Sequence, residues 1–286
     1  MFASAKEILA KAKAEKYAVG AFNVSNMEIA QGVVMAAVEK RSPLILQITE
    51  SAMKYAGDKE LAKIVRTVID ERSEDVPVGI NLDHGKTLDL VKKAIDLGFS
   101  SVMIDGSRLT FQENKNLTKS VVDYSRQKNI PVQAELGIVP YLGELNTDQT
   151  DWSTLMTDPD KAKDFVDYTG VDFLAVAIGN AHGFFREAEV FDWARLKTIN
   201  EKLGIPLVLH GASDCSVDKI SKSIENGVAC FNVDTDIRLA FMGQLTKMVD
   251  SKVSITDPRK IMEAVREAVK KKVVEKINIF GSSHKA

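Results

Sequence analysis

The chain has 286 residues, 40 acidic against 38 basic, for a formal net charge of −2, with 45% apolar and 27% charged side chains. This is an ordinary globular mixture, and 17 Gly with 7 Pro exclude a collagen-like or low-complexity chain. With no Lys/Arg excess to neutralise phosphates, a nucleic-acid partner is not expected. Cys215 and Cys230 match no disulfide framework or zinc-finger spacing and read as reduced thiols. No apolar run approaches the roughly 18 residues that cross a bilayer, so no membrane partner and a cytoplasmic location are expected.

Short apolar runs recur in chain order at 17–24, 44–49, 78–83, 101–105, 132–136, 173–178, 207–209 and 228–233. Between them lie stripes at helical spacing, such as Ile29, Val33, Val34 and Ala37, or Leu61, Ile64, Val65 and Val68. Near-continuous apolar strands alternating with amphipathic helices predict a parallel sheet covered by helices. Eight such units in about 240 residues favour a closed (β/α)8 barrel, a TIM barrel, over an open sheet. The G-x-G-x-x-G fingerprint of an open dinucleotide-binding sheet is also absent. A single domain spanning 1–286 is therefore expected. A polar stretch at about 138–158 interrupts the rhythm and reads as a mobile loop, and a Lys/Glu-rich C-terminal helix is predicted over about 259–280.

In such a barrel, polar groups at the C-terminal strand ends converge on one mouth. Here those ends carry Asn23, Thr49, Asp83-His84, Asp105, Glu135, Asn180 to His182, His210 and Asn232 to Thr235. Three of the four histidines follow three different strands. Singly, each would read as a polar loop residue. Together, with carboxylates at neighbouring ends, they suit a zinc-like ion with an open coordination position. Gly183 after His182, Gly211-Ala212-Ser213 after His210, and Asn232-Val233-Asp234-Thr235 suit a phosphate, because small residues let backbone N–H groups approach an anion. Loops after strands seven and eight are the recurring phosphate site of these barrels.

The ordered motifs Gly20-Ala21-Phe22-Asn23-Val24, Asn81-Leu82-Asp83-His84-Gly85, Ser101-Val102-Met103-Ile104-Asp105-Gly106-Ser107, Ala134-Glu135-Leu136-Gly137, Gly179-Asn180-Ala181-His182-Gly183, Leu209-His210-Gly211, Asn232-Val233-Asp234-Thr235-Asp236 and Asp257-Pro258-Arg259-Lys260 resemble the class II, metal-dependent ketose-bisphosphate aldolases. The resemblance runs over nearly the whole chain and implies a catalytic Zn2+ held by His84, His182 and His210. It implies a second or displaced metal position at Asp105 and Glu135, with Asp83 as proton donor and acceptor. It further implies that Gly183, Gly211 to Ser213 and Asn232 to Thr235 hold dihydroxyacetone phosphate, with a monovalent cation nearby, and Asn23 and Thr49 are further substrate-binding candidates. The resemblance also implies a homodimer or homotetramer, and Arg259 matches a position that can reach the distal phosphate of a neighbouring subunit's substrate. The implied reaction is cleavage of a ketose 1,6-bisphosphate, fructose or its C4 epimer tagatose, with the metal as Lewis acid.

The strand ends above include no lysine, which argues against Schiff-base chemistry. Several positions depart from the family pattern. Asp214 replaces a glycine after the third histidine and is expected to cap the next helix with Ser216. The loop after Glu135 has Pro140-Tyr141 in place of two glycines, and Glu144 is the nearest candidate for its catalytic acid, about one position out of register. A metal-dependent hydrolase on the same barrel, or a phospho-sugar sensor whose altered loop no longer closes, are the alternatives.

Overall fold

The computed structural model describes residues 1–141, 151–183, 191–213, 215–250 and 256–286. Eight parallel strands form a closed barrel in sequence order: β1 (Val19–Asn23), β2 (Leu44–Thr49), β3 (Val78–Gly85), β4 (Ser101–Ile104), β5 (Val132–Leu136), β6 (Phe173–Val176), β7 (Leu207–Leu209) and β8 (Val228–Val233). Closure is made by β1 on β8, where Ala21 pairs with Asn232. Nearly every strand residue is buried, as expected when one face packs inside a barrel and the other beneath helices. The expected eight-stranded barrel is therefore the observed one.

Helices cover the outside, among them α1 (Ala5–Glu15), α3 (Glu50–Ala56), α4 (Asp58–Arg72), α5 (Leu88–Asp96), α7 (Pro159–Thr169), α8 (Trp193–Leu203) and α9 (Val217–Glu225), and their ends are set by local chemistry. Asn26 caps α2 (Met27–Lys40) by accepting from the Ile29 N–H at 2.9 Å. Thr110 and Glu113 form a reciprocal capping box at α6 (Phe111–Arg126). Helix α11 (Pro258–Phe280) matches the predicted C-terminal helix and packs against α2 and α10 (Thr235–Asp250). Its last residue, Phe280, stacks on Phe231 of β8 with ring centroids 4.9 Å apart.

Two details shape the mouth. Strand β3 continues two residues past the predicted end, and its register with β4 shifts between Leu82 and Gly85. His84 lies within this shift with φ +50, an uncommon conformation for a residue with a side chain. The interrupting stretch is anchored where it is described. Trp152–Thr154 form a 3-10 turn, Ile138 N–H donates to Leu155 O at 2.8 Å, and Thr157 N–H to Ala177 O at 2.8 Å. Its C-terminal part is thus hydrogen-bonded to the strand-six end. Among the described residues no helix is long and apolar enough to cross a membrane.

Candidate active site

The imidazoles of His84, His182 and His210 meet at the C-terminal mouth, with ligand nitrogens within 4.8 Å of one another. Each comes from a different strand end. His84 belongs to the β3 shift, His210 follows β7 directly, and His182 lies six residues beyond β6, where its N–H donates to Pro140 O at 2.8 Å. His84 Nδ1 lies 2.8 Å from Asp105 Oδ2. Facing a carboxylate, Nδ1 donates, so Nε2 is left with a lone pair toward the pocket. That Nε2 lies 3.0 Å from His210 Nδ1. The Gln133 and Asn232 side-chain amides lie 2.8 and 2.9 Å from His210 Nε2. Both contacts are made by the amide nitrogens, Gln133 Nε2 and Asn232 Nδ2, which donate, so His210 Nε2 accepts.

Two ring nitrogens facing each other at this distance share either a proton, one N–H donating to the other's lone pair, or a metal ion. Two ligands of a tetrahedral ion at 2.0–2.1 Å stand roughly 3.3 Å apart, close to the observed gap. Burial and the neighbouring His84 charge lower His182 to about 3 and also push His210 well down, so both imidazoles are neutral and able to ligate. Burial disfavours the His84 cation, but Asp83, Asp105 and Glu135 outweigh it and hold the group at about 9; an ion must displace that proton. Burial lifts Glu135 to about 7, and its Oε2 is buried with no hydrogen-bond partner among the described residues. Neutral imidazoles, an orphaned carboxylate oxygen and a preset gap fit a divalent ion with nitrogen and oxygen ligands. His84, Asp105 and Glu135 form a second cluster of ligand atoms within 4.8 Å.

Asp83, beside the first histidine, is buried. Its Oδ2 accepts from Asn23 Nδ2 at 2.7 Å, while Oδ1 has no hydrogen-bond partner among the described residues. One oxygen is therefore held and the other is available. Across the mouth, Gly211 has φ +73, and a Cβ there would collide with Ala181 O, so the chain can turn here only as glycine. The turn brings Ser213 next to the N-terminus of α10, which begins at Thr235. Helix α11 holds the turn from behind. Buried Lys276 donates to Ser213 O at 2.6 Å and pairs with Asp236 at 2.6 Å.

The resulting cavity, of about 300 Å³, is lined by Asn23, Thr49, Asp83, His84, His182, Gly183, His210, Gly211, Ser213, Asn232, Asp234 and Thr235 from the sequence-predicted set. Asp105 and Glu135 sit beside His84 rather than on the cavity wall, and Ala212 and Val233 are wholly buried beneath it. Thr49 Oγ1 caps the helix Glu50–Ala56, accepting from Ala52 N–H at 3.1 Å. Arg259 lies exposed at the start of α11, paired with its own Asp257 at 2.9 Å, and is not on the described wall of this cavity. Glu144 and Asp214 lie outside the described residues; Ser216 does cap its helix, accepting from Lys219 N–H.

Four wall or supporting residues were missed by the strand-end argument. Ser51, Tyr141 and Arg238 line the cavity, and Gln133 supports His210. Tyr141 stacks on His182 with centroids 4.7 Å apart, and Arg238 pairs with Asp234 at 2.7 Å. Gln133 was legible as a polar residue interrupting an apolar strand. The expectation that no lysine stands at the strand ends is corrected. Because β3 extends to Gly85, Lys86 stands at its end, and its ammonium is hydrogen-bonded to Asp105.

The fold and the site agree with what the chain is similar to. The family model for class II fructose-bisphosphate aldolase matches residues 3–285. The fructose-bisphosphate aldolase of Geobacillus stearothermophilus is 39% identical over 284 residues, covering 99% of this chain and 98% of the relative. That of Giardia intestinalis is 40% identical over 303 residues, covering 97% and 92%. The crystal structure of the YdjI aldolase from Escherichia coli K12 superposes with a TM-score of 0.89 at 34% identity, over 100% of both chains. From the matched length and the identities together, the chain belongs to the metal-dependent class II fructose-bisphosphate aldolase family of carbon–carbon lyases.

Proposed function

We propose that this chain cleaves fructose 1,6-bisphosphate reversibly to dihydroxyacetone phosphate and glyceraldehyde 3-phosphate, with zinc on His84, His182 and His210. The observation that carries the proposal is the convergence of three imidazole nitrogens within 4.8 Å of one another beside a buried, half-engaged Asp83. Relatives at 39 and 40% identity that bear the name fructose-bisphosphate aldolase support the choice of substrate. When bound, the ion supplies Lewis-acid polarisation of the ketose oxygens and charge stabilisation.

The chain's own residues do the rest. Asn23 Nδ2 fixes one Asp83 oxygen and leaves the other without a partner among the described residues, 4.0 Å from His84 Nε2 at the ion site. That oxygen takes the C4 hydroxyl proton as the C3–C4 bond breaks, and the bond's electron pair passes to the three-carbon fragment as an enediolate. An acid, with Glu144 the candidate, protonates the enediolate at carbon to give dihydroxyacetone phosphate, and condensation runs the same transfers in reverse. The Gly211 to Ser213 turn and the first turn of α10 hold the phosphate through backbone N–H groups and hydroxyls. Tyr141, stacked on His182, forms the wall toward the mouth. Exposed Leu239, Met242 and Val249 on α10 support a homodimer or homotetramer, which light scattering after gel filtration would test.

The test is cleavage of fructose and tagatose bisphosphates by the purified protein, with and without a chelator. Metal-dependent cleavage that favours the fructose epimer is expected. Activity surviving complete metal removal, or trapped by borohydride, would overturn the mechanism; a preference for tagatose bisphosphate would overturn the substrate.

A further inference from the structure

Asp105 follows β4 with every acceptor site of its carboxylate engaged. Oδ2 accepts from His84 Nδ1 at 2.8 Å and from Lys86 Nζ; Oδ1 accepts from the Ser107 N–H at 3.1 Å and the Ser107 hydroxyl at 2.6 Å. An ionised carboxylate offers about four lone-pair positions, and donors of this chain use all of them. One of those donors is the Lys86 ammonium, whose charge no bound metal would displace. The β3 register shift places Lys86 beside the point where His84, Asp105 and Glu135 converge. Glu135 differs: its Oε2 is unpartnered among the described residues and lies 3.6 Å from His210 Nδ1, close to the three-imidazole site.

Resting on the metal reading above, we propose that Lys86 is a tethered cation that closes the Asp105 arm to metal. The chain then holds one divalent ion, on its three imidazoles, and Asp105 positions His84 instead of serving as a ligand. A second dication at His84, Asp105 and Glu135 would have to break a charge-assisted hydrogen bond and face an ammonium of like sign. The buried Asp105, bonded to His84 Nδ1, also fixes which His84 nitrogen faces the pocket, the usual task of a carboxylate behind a ligating imidazole.

The test counts zinc. The metal-stripped full-length chain is titrated calorimetrically with Zn2+, and bound zinc is measured by plasma mass spectrometry after gel filtration. The wild type is expected to hold one equivalent and Lys86→Met, similar in length but neutral, two. Lys86→Arg, which keeps the charge, should remain at one. Two tight equivalents in the wild type, or one or none in folded Lys86→Met, overturn the proposal and leave the three-imidazole site standing. No zinc in the wild type overturns the metal reading itself. Circular dichroism reports folding of each variant. If Lys86→Met does not fold, Lys86→Gln takes its place, with the same counts deciding.

Discussion

Asp83 divides its two oxygens between support and availability, and that division makes its role separable from metal binding. Oδ2 is held by Asn23 at 2.7 Å, and the three imidazoles do not need Asp83 to converge. Asp83→Asn is therefore expected to keep its zinc while kcat falls roughly 10²–10⁴-fold, the usual contribution of a positioned acid–base group. Turnover and metal content measured on one preparation check both halves. Gln133 offers the complementary case. Its amide lies 2.8 Å from His210 Nε2 and touches the ion site only through that ring. Gln133→Leu should weaken zinc binding about 10–100-fold, read by competition with a chromophoric chelator. Unchanged zinc affinity would show that Asn232 alone orients His210.

At the scale of elements, the phosphate turn is held by a helix far away in sequence. Lys276 of α11 and Asp236 of α10 form an ion pair whose side chains are 6% and 11% exposed, directly behind Ser213. Breaking one partner of a buried pair leaves the other charge uncompensated, which costs about 3–5 kcal/mol. Lys276→Met should therefore destabilise the chain by about that amount in denaturant unfolding and raise KM for the phosphorylated substrate. The double variant Lys276→Met/Asp236→Asn should recover part of the stability, since no buried charge then stands alone; additive losses would exclude direct coupling. Here the C-terminal helix was legible at 259–280 from its Lys/Glu-rich pattern and the Asp257-Pro258 start. Its contact with the phosphate turn was not, because a lysine in a lysine-rich helix gives no sign of which way it faces. The β3 shift was also hidden: the apolar run stops at Leu82, while the backbone keeps pairing to Gly85.

For the whole molecule, the ion site spans the barrel. Its proposed ligands stand in β3, after β6 and after β7, so only the folded chain brings them together, and an ion bound there would stabilise the fold by mass action. Free zinc at 100 times its dissociation constant should add about 2.7 kcal/mol, seen as a higher melting temperature that a chelator reverses; identical melts with and without zinc would exclude the site. By itself the sequence determined the barrel and the three histidines at its mouth. Both follow from local properties: apolar runs at strand length, helical stripes between them, and polar residues just past each run. The net charge of −2 gave no sign of an anionic substrate, because the groups proposed to bind it are a metal, a glycine turn and a helix N-terminus, none counted in a composition. Only the tertiary structure decided that Lys86 meets Asp105, that Gln133 stands behind His210, and that Lys276 holds Ser213. Each depends on a register shift or on how one element packs against another, and neither is a property of the residues nearby in sequence.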